Sequence, residues 1–152
     1  MAGDLYIEDI VTSSLEICGG QKVYARQLNT ENSDLDIKIW NDGLLWLMGY
    51  KIEKGWSGLV NITNGTFELL GTFAYSIAKS HPQVTPAFSI VDSKVSLAGF
   101  HEYNADENPF WKLVYEVRGK DERMLTNNSV TNGLEHSHNG CSWSLYSAWD
   151  GK

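Results

Sequence analysis

The chain has 152 residues and a net charge of −7; 42% of its residues are hydrophobic and only 20% are charged. This length fits one domain, residues 1–152, with a core of ordinary size. No cluster of Lys and Arg is present to follow a phosphate backbone, so the charge pattern argues against nucleic-acid binding and against attraction to a strongly anionic membrane. Six Trp, seven Tyr, five Phe and 14 Gly are typical of a β-rich chain that turns often.

The first segment, Asp4 to Gly20, fits two patterns. As a strand, its apolar residues alternate, but Asp9 and Ser13 interrupt the inner face. As a helix, with Asp4 as N-cap and Gly19 as the left-handed stop, the inner residues recur at three- and four-residue steps. These are Ile7, Ile10, Val11, Ser14, Leu15 and Cys18. We favour the amphipathic helix.

After Gly20 the hydrophobic period changes to two, which predicts strands. The predicted strands are Lys22–Leu28, Leu35–Trp40, Leu44–Ile52, Phe67–Ile77, Ala87–Val91, Val95–Phe100, Trp111–Val117 and a last strand that begins at Cys141. The Asp42-Gly43 pair suits a tight hairpin. We find no internal repeat. The pattern predicts a mainly β domain, an antiparallel β-sandwich of about eight to ten strands with one N-terminal helix.

Aromatic residues in the predicted loops are the candidate ligand-binding residues, because core packing does not account for them. Trp56 lies between two glycines, and a second group follows the strand that ends at Phe100. Aromatic faces beside Asn and Glu side chains suit sugars, and they also attract the cation of a choline headgroup. The candidate residues are Trp56, Phe100, Tyr103, Asn104, Phe110 and Trp111.

Catalytic and metal-binding patterns are weak. His136 and His138 would point to the same side of a strand and could share one metal ion, but they lie in a polar segment rich in Asn and Gly. No nucleophile elbow, phosphate-binding loop or dinucleotide fingerprint occurs. We therefore expect a protein without catalytic residues, cofactor or bound metal.

The first nine residues and the two cysteines give two further expectations. Residues 1–9 contain neither a basic region nor a continuous apolar stretch, so no signal peptide is predicted. We expect a chain that is cytosolic or released without a classical leader. Cys18 and Cys141 either form a disulfide that closes a long loop or remain two reduced thiols, and the sequence leaves both open.

Part of the chain resembles the actinoporins, and the predicted sandwich is similar to that of the fungal fruit-body lectins. The resemblance rests on an Ala-Tyr strand, a Phe-Ser strand, a Tyr-Asn loop, a Trp-led strand and a basic Gly-Lys turn, in that order. These are residues 71–77, 87–91, 103–104, 110–115 and 118–124. The resemblance implies a phosphocholine site that includes Tyr103, Asn104 and Trp111.

Together these observations predict a non-catalytic recognition module that binds a zwitterionic lipid headgroup at a membrane. In a pore-forming cytolysin the N-terminal helix would then detach and insert Ile7, Ile10, Val11 and Leu15. The alternative is a lectin that uses the same loop aromatics to bind a glycan, and the third reading is a metal-dependent enzyme that uses His136 and His138. An oligomer is compatible with each of them.

Overall fold

The computed structural model describes residues 3–31, 35–54, 58–76, 85–104, 110–127 and 142–148, which contain twelve strands in two six-stranded sheets. Sheet A contains, in spatial order, β1 (Leu5–Thr12), β3 (Lys22–Thr30), β5 (Leu44–Lys54), β7 (Thr66–Ser76), β9 (Lys94–Asn104) and β12 (Ser142–Ala148). Sheet B contains, from the same end, β2 (Leu15–Ile17), β4 (Ile37–Trp40), β6 (Val60–Thr63), β8 (Phe88–Val91), β10 (Lys112–Arg118) and β11 (Asp121–Thr126).

The chain passes alternately between the two sheets, and each strand pairs in parallel with the strand one coil earlier. Val23 pairs with Leu45 and Leu45 with Phe67, so these coils repeat every 22 residues. Antiparallel pairing occurs at the C-terminal end, where β11 pairs with β10 and β12 with β9. The architecture is a two-sheet β-solenoid in which each coil stacks on its neighbours.

The predicted N-terminal helix is wrong: residues 5–12 form β1 and residues 15–17 form β2. β1 pairs with β3 in parallel from Leu5 opposite Val23 to Thr12 opposite Thr30. Asp9 has a left-handed φ of 55° and is left out of the pairing. This extra residue shifts the alternation by one, so that the apolar residues after Asp9 fall at helix-like spacing although the backbone is extended.

The predicted antiparallel sandwich and its hairpin are also wrong. The turn after Trp40 leads the chain from sheet B to sheet A, because β4 and β5 belong to different sheets. Its backbone amides donate to the next coil, Asn41 to the carbonyl of Thr63 and Asp42 to that of Asn64. The prediction that the chain has no internal repeat is wrong as well. Some equivalent positions of successive coils carry the same residue 22 positions apart, as in Ile17 and Ile39, Leu47 and Leu69, and Gly49 and Gly71.

The core lies between the sheets and is built from ladders of inward side chains. One ladder is formed by four fully buried isoleucines in successive strands of sheet B: Ile17, Ile39, Ile62 and Ile90. Phe88 of sheet B meets Phe100 of sheet A edge to face, with ring centroids 5.6 Å apart. Contacts of this kind across the interior hold the two sheets together.

The buried Tyr50 and the partly buried Tyr146 make the free energy of unfolding fall at alkaline pH. Burial is the main cause of the raised pKa of Tyr50, whose hydroxyl is 2.7 Å from Thr30 Oγ1, and of Tyr146, whose hydroxyl donates to Glu116. The folded state therefore binds these protons more tightly than the unfolded chain, whose tyrosines titrate near pH 10. This part of the stability is present below pH 10 and is lost as pH rises above it.

We expect the free energy of unfolding, measured in urea between pH 8 and pH 11, to fall less steeply above pH 10 for Tyr50→Phe than for the unchanged chain. At pH 8 the variant should lose about 1 kcal/mol, because Thr30 loses its partner. Equal slopes for the two proteins above pH 10 would contradict the proposed role of Tyr50.

Candidate functional site

A column of left-handed residues crosses sheet A perpendicular to its strands. One residue in each of β1, β3, β5, β7 and β9 has a positive φ and lies between two register pairs: Asp9 (55°), Gln27 (55°), Gly49 (76°), Gly71 (79°) and Gly99 (69°). Such bulges bend a strand, and when they are aligned they bend the whole sheet along one line. Glycine serves at this position because it has no Cβ to oppose a positive φ.

The bend forms a groove of about 620 Å³ on the outer surface of sheet A. Its floor has little side-chain cover at Gly71, where the space that a Cβ would fill is open, and at Gly99, where a Cβ would lie 3.5 Å from Gly71 Cα. The five strands that it crosses are ~4.8 Å apart, so the groove is about 20 Å long. It is long and narrow, and its axis is the axis of the solenoid.

One wall of the groove is polar and aromatic. It follows one row of register partners in successive strands: Val11, Asn29, Lys51, Phe73 and His101. The rings of Phe73 and His101 stack with centroids 5.7 Å apart. Farther from the groove, the rings of Tyr75 and Tyr103 stack at 5.4 Å. The register row on the other side of the bulge is mixed: it has apolar side chains at Met48, Leu70 and Ala98 and the Arg26–Glu8 ion pair in β3 and β1.

Two polar atoms of groove-lining residues have no hydrogen-bond partner within the described residues. Thr72 is 5% exposed and its hydroxyl Oγ1 is unpartnered; the same is true of the buried Oδ1 of Asn29, whose amide nitrogen donates to Glu31. A buried polar atom without a partner costs about 1–3 kcal/mol. Asn29 is on the outer face with the groove, so a ligand with hydroxyl groups could supply its missing partner. Thr72 is the register partner of the core residues Tyr50 and Phe100, so its hydroxyl faces the core and not the groove.

The charges along the polar wall are balanced. Lys51 Nζ lies 2.6 Å from Glu53 and 3.7 Å from Glu31. The hydrogen bond to Glu53 is the main reason that the pKa of Lys51 is raised, and it keeps the ammonium charged. Two carboxylates therefore offset this one ammonium, so the wall offers hydrogen-bonding groups without a net positive charge.

The structure separates the aromatic residues that the sequence groups together. Phe100 and Phe110 are buried in the core, whereas Tyr103 and Trp111 are exposed. Tyr103 is on the outer face of sheet A, and Trp111 directly precedes β10 of sheet B. Asn104 ends β9 but its side chain lies outside the described part, as does the whole of Trp56. Of the predicted ligand-binding residues, Tyr103 is the one that lies beside the polar wall of the groove.

The residues predicted to insert into a membrane are parts of the sheets. Ile7, Ile10 and Val11 belong to β1 and Leu15 to β2; Ile7 and Leu15 pack against the core, while Ile10 and Val11 are exposed. No amphipathic helix is formed there that could detach. Among the described residues, no helix has the length and hydrophobicity needed to cross a membrane.

His136 and His138 lie outside the described residues. In the part of the chain that is described, no three His, Cys, Asp or Glu side chains come together to hold a metal ion. Cys18 is exposed and has a free thiol, and Cys141 falls in the undescribed segment before β12.

A second cavity, of about 840 Å³, lies on the outer side of sheet B and includes Asn61, Ser89 and Tyr115. Gly58 and Thr85 line it and adjoin segments that are not described, so its outline is incomplete. The groove on sheet A is formed throughout by described residues and is the better candidate site.

The sequence does contain a signal for the groove. Gly71 and Gly99 each stand two residues before an aromatic residue of the wall, in Gly71-Thr72-Phe73 and Gly99-Phe100-His101. A glycine inside an otherwise regular strand is typical of a bulge or of a close approach by a ligand. The sequence pattern predicts a regular strand through both glycines and therefore does not predict the groove.

Comparison with protein-family models, with curated proteins and with solved structures found no match to this chain.

Proposed function

We propose that this protein is a non-catalytic recognition module that binds an extended carbohydrate chain in the groove of sheet A. The observation that carries the proposal is the combination, on one wall, of the Phe73 ring, which lines the groove and stacks on His101, with the unpartnered Oδ1 of Asn29. Sugars present both an apolar ring face and hydroxyl groups, and this pairing of surfaces suits both.

The shape of the groove favours a polymer over a single sugar. It crosses five strands, and successive strands repeat the same bend at ~4.8 Å, close to the length of one sugar unit in an extended chain. The chain's net charge of −7 and the neutralised Lys51 disfavour a polyanionic glycan. A neutral polysaccharide is therefore the expected ligand.

Membrane insertion of the N-terminal segment is not part of this proposal, because residues 5–17 form β1 and β2 and are paired in both sheets. Tyr103 remains exposed and available to either ligand class. We therefore include phosphatidylcholine vesicles as a competing probe, and we do not propose pore formation.

The test is sedimentation of the protein with insoluble cellulose, chitin, xylan and mixed-linkage β-glucan, and in parallel with phosphatidylcholine vesicles. Phe73→Ala should weaken binding to the retained polysaccharide about tenfold, or about 1.4 kcal/mol. The matched control is Trp40→Ala, which removes an exposed ring from the outer face of sheet B and should leave binding unchanged. Pelleting with vesicles and with none of the polysaccharides would overturn the proposal.

Thr72→Val replaces a hydroxyl that faces the core beneath the groove. Since Thr72 Oγ1 has no partner among the described residues, its removal should leave the free energy of unfolding unchanged or raise it by about 1 kcal/mol. Polysaccharide binding should be unchanged, because the hydroxyl faces away from the groove. The two quantities are measured by urea denaturation and by the depletion isotherm, and a variant that binds about fivefold more weakly would contradict the inward placement of Thr72.

A further inference from the structure

The two ends of the solenoid differ. At the C-terminal end both sheets finish with antiparallel strands, β12 and β11. At the N-terminal end β1 and β2 are the first strands of their sheets, and each pairs on one side with the following coil. A strand with one unpaired edge is a template for pairing with another strand.

Large apolar side chains are exposed along this free edge. In β1, Leu5 is 41% exposed, Tyr6 72%, Ile10 38% and Val11 69%. Ile10 and Leu5 follow the inward register of the strand, and no described strand pairs with the far edge of β1. Among the described residues, the end of the core is therefore uncovered on this side.

We infer that β1 pairs with β1 of a second copy, antiparallel and around a two-fold axis that passes between Glu8 and Asp9. The bulge at Asp9 makes the strand complementary to itself in this register. Inward Ile7 lies opposite inward Ile10 of the other copy, and outward Tyr6 lies opposite outward Val11. Without the extra residue at Asp9, this register would place inward side chains opposite outward ones. An isologous contact of this kind closes as a dimer.

The size and charge of the end predict a weak dimer. The edge has eight residues at ~3.3 Å each, and the two sheets are ~10 Å apart, so each copy would bury a few hundred Å² at this end. A standard interface buries ~800 Å² per partner. Glu8 and Asp9 of both copies meet near the axis, and they are only partly offset by Arg26, which pairs with Glu8. Association should therefore be reversible and strengthened by salt.

The groove gives a reason for this pairing. Asp9, Ile10 and Val11 line the groove at its open end in β1. In the two-fold dimer the groove of one copy continues into that of the other, on the same face of a twelve-stranded sheet. The dimer itself does not depend on carbohydrate binding, and the measurements below contain no carbohydrate.

The first experiment is sedimentation equilibrium of the full chain over a wide concentration range. We expect a monomer–dimer equilibrium that Val11→Glu weakens at least tenfold, because it adds two charges to an acidic interface. The matched control is Leu145→Glu, which changes an apolar residue of similar exposure on β12 and should leave the equilibrium unchanged. A monomer at every concentration would overturn the inference, and so would open-ended polymers that Leu145→Glu abolishes.

The second experiment tests the register. With Cys18 and Cys141 replaced by Ser, Tyr6→Cys together with Val11→Cys should form a disulfide-linked dimer on mild oxidation, whereas Tyr6→Cys alone should not, because its two copies would lie about 16 Å apart. Asp9→Asn keeps a residue that tolerates positive φ and removes one acid per copy, so it should tighten the dimer severalfold. Cross-linking of the single variant, or weaker association of Asp9→Asn, would contradict the proposed axis.

Discussion

Ile62→Ala should lower the free energy of unfolding by about 3 kcal/mol. Ile62 is fully buried in β6 and lies between Ile39 and Ile90 of the neighbouring strands. Backbone pairing on both sides holds these strands at a fixed spacing, so the cavity left by the lost methyl and methylene groups cannot close. Urea denaturation at neutral pH measures the loss.

The control for this prediction is the preceding residue of the same strand. Asn61 lies on the outer face of β6, so Asn61→Ala should change the free energy of unfolding by less than about 1 kcal/mol. Leu15→Ala, in the first coil and only partly buried, should fall between the two. Equal losses for Ile62→Ala and Asn61→Ala would contradict the inward placement of Ile62.

The positions of most strands could be predicted from the sequence. The predicted Lys22–Leu28 and Leu44–Ile52 correspond to β3, which ends at Thr30, and β5, which ends at Lys54. Alternation identifies them because inward and outward faces exist in any two-layer β structure.

The direction of pairing could not be predicted in the same way. An antiparallel sandwich and a two-sheet solenoid demand the same alternation and similar turn residues, so Asp42-Gly43 suits both. The two folds differ in which strands pair with each other, and in a solenoid this pairing depends on the number of residues in each coil. Some inward columns repeat no residue type, such as Val23, Leu45 and Phe67, whereas Ile17 and Ile39 or Gly49 and Gly71 do repeat at 22 residues. This partial repeat is the signal that distinguishes stacked coils from a sandwich.

The groove shows why site prediction was harder than strand prediction. Tyr103 is predicted from its place in a loop, yet it belongs to β9 and stacks on Tyr75. Asn29, Lys51 and Phe73 give no signal in the sequence, because each is unremarkable within its own strand. They come together only when strands 22 residues apart are aligned, which requires the parallel register.

An ion pair between the buried Glu116 and the partly exposed Arg118 lies near the C-terminal end of the solenoid. Glu116 in β10 is nearly inaccessible, and its Oε1 accepts a 2.5 Å hydrogen bond from Arg118 Nε. Its Oε2 accepts a 2.6 Å bond from the hydroxyl of Tyr146 in β12, which links sheet B to sheet A. Arg118 also donates through Nη2 to the carbonyl of Ser93 in the turn before β9.

Arg118→Met should therefore cost about 3 kcal/mol of unfolding free energy, because it leaves the buried carboxylate of Glu116 without its cation while the apolar stem is kept. Adding Glu116→Gln should recover part of this loss, since the double variant has no unpaired buried charge. Lys38→Met is the control: it breaks the exposed Lys38–Glu16 pair and should cost less than about 1 kcal/mol. If the double variant were no more stable than Arg118→Met, the loss would come from the contact with Ser93 and from packing, and the buried charge would not be its cause.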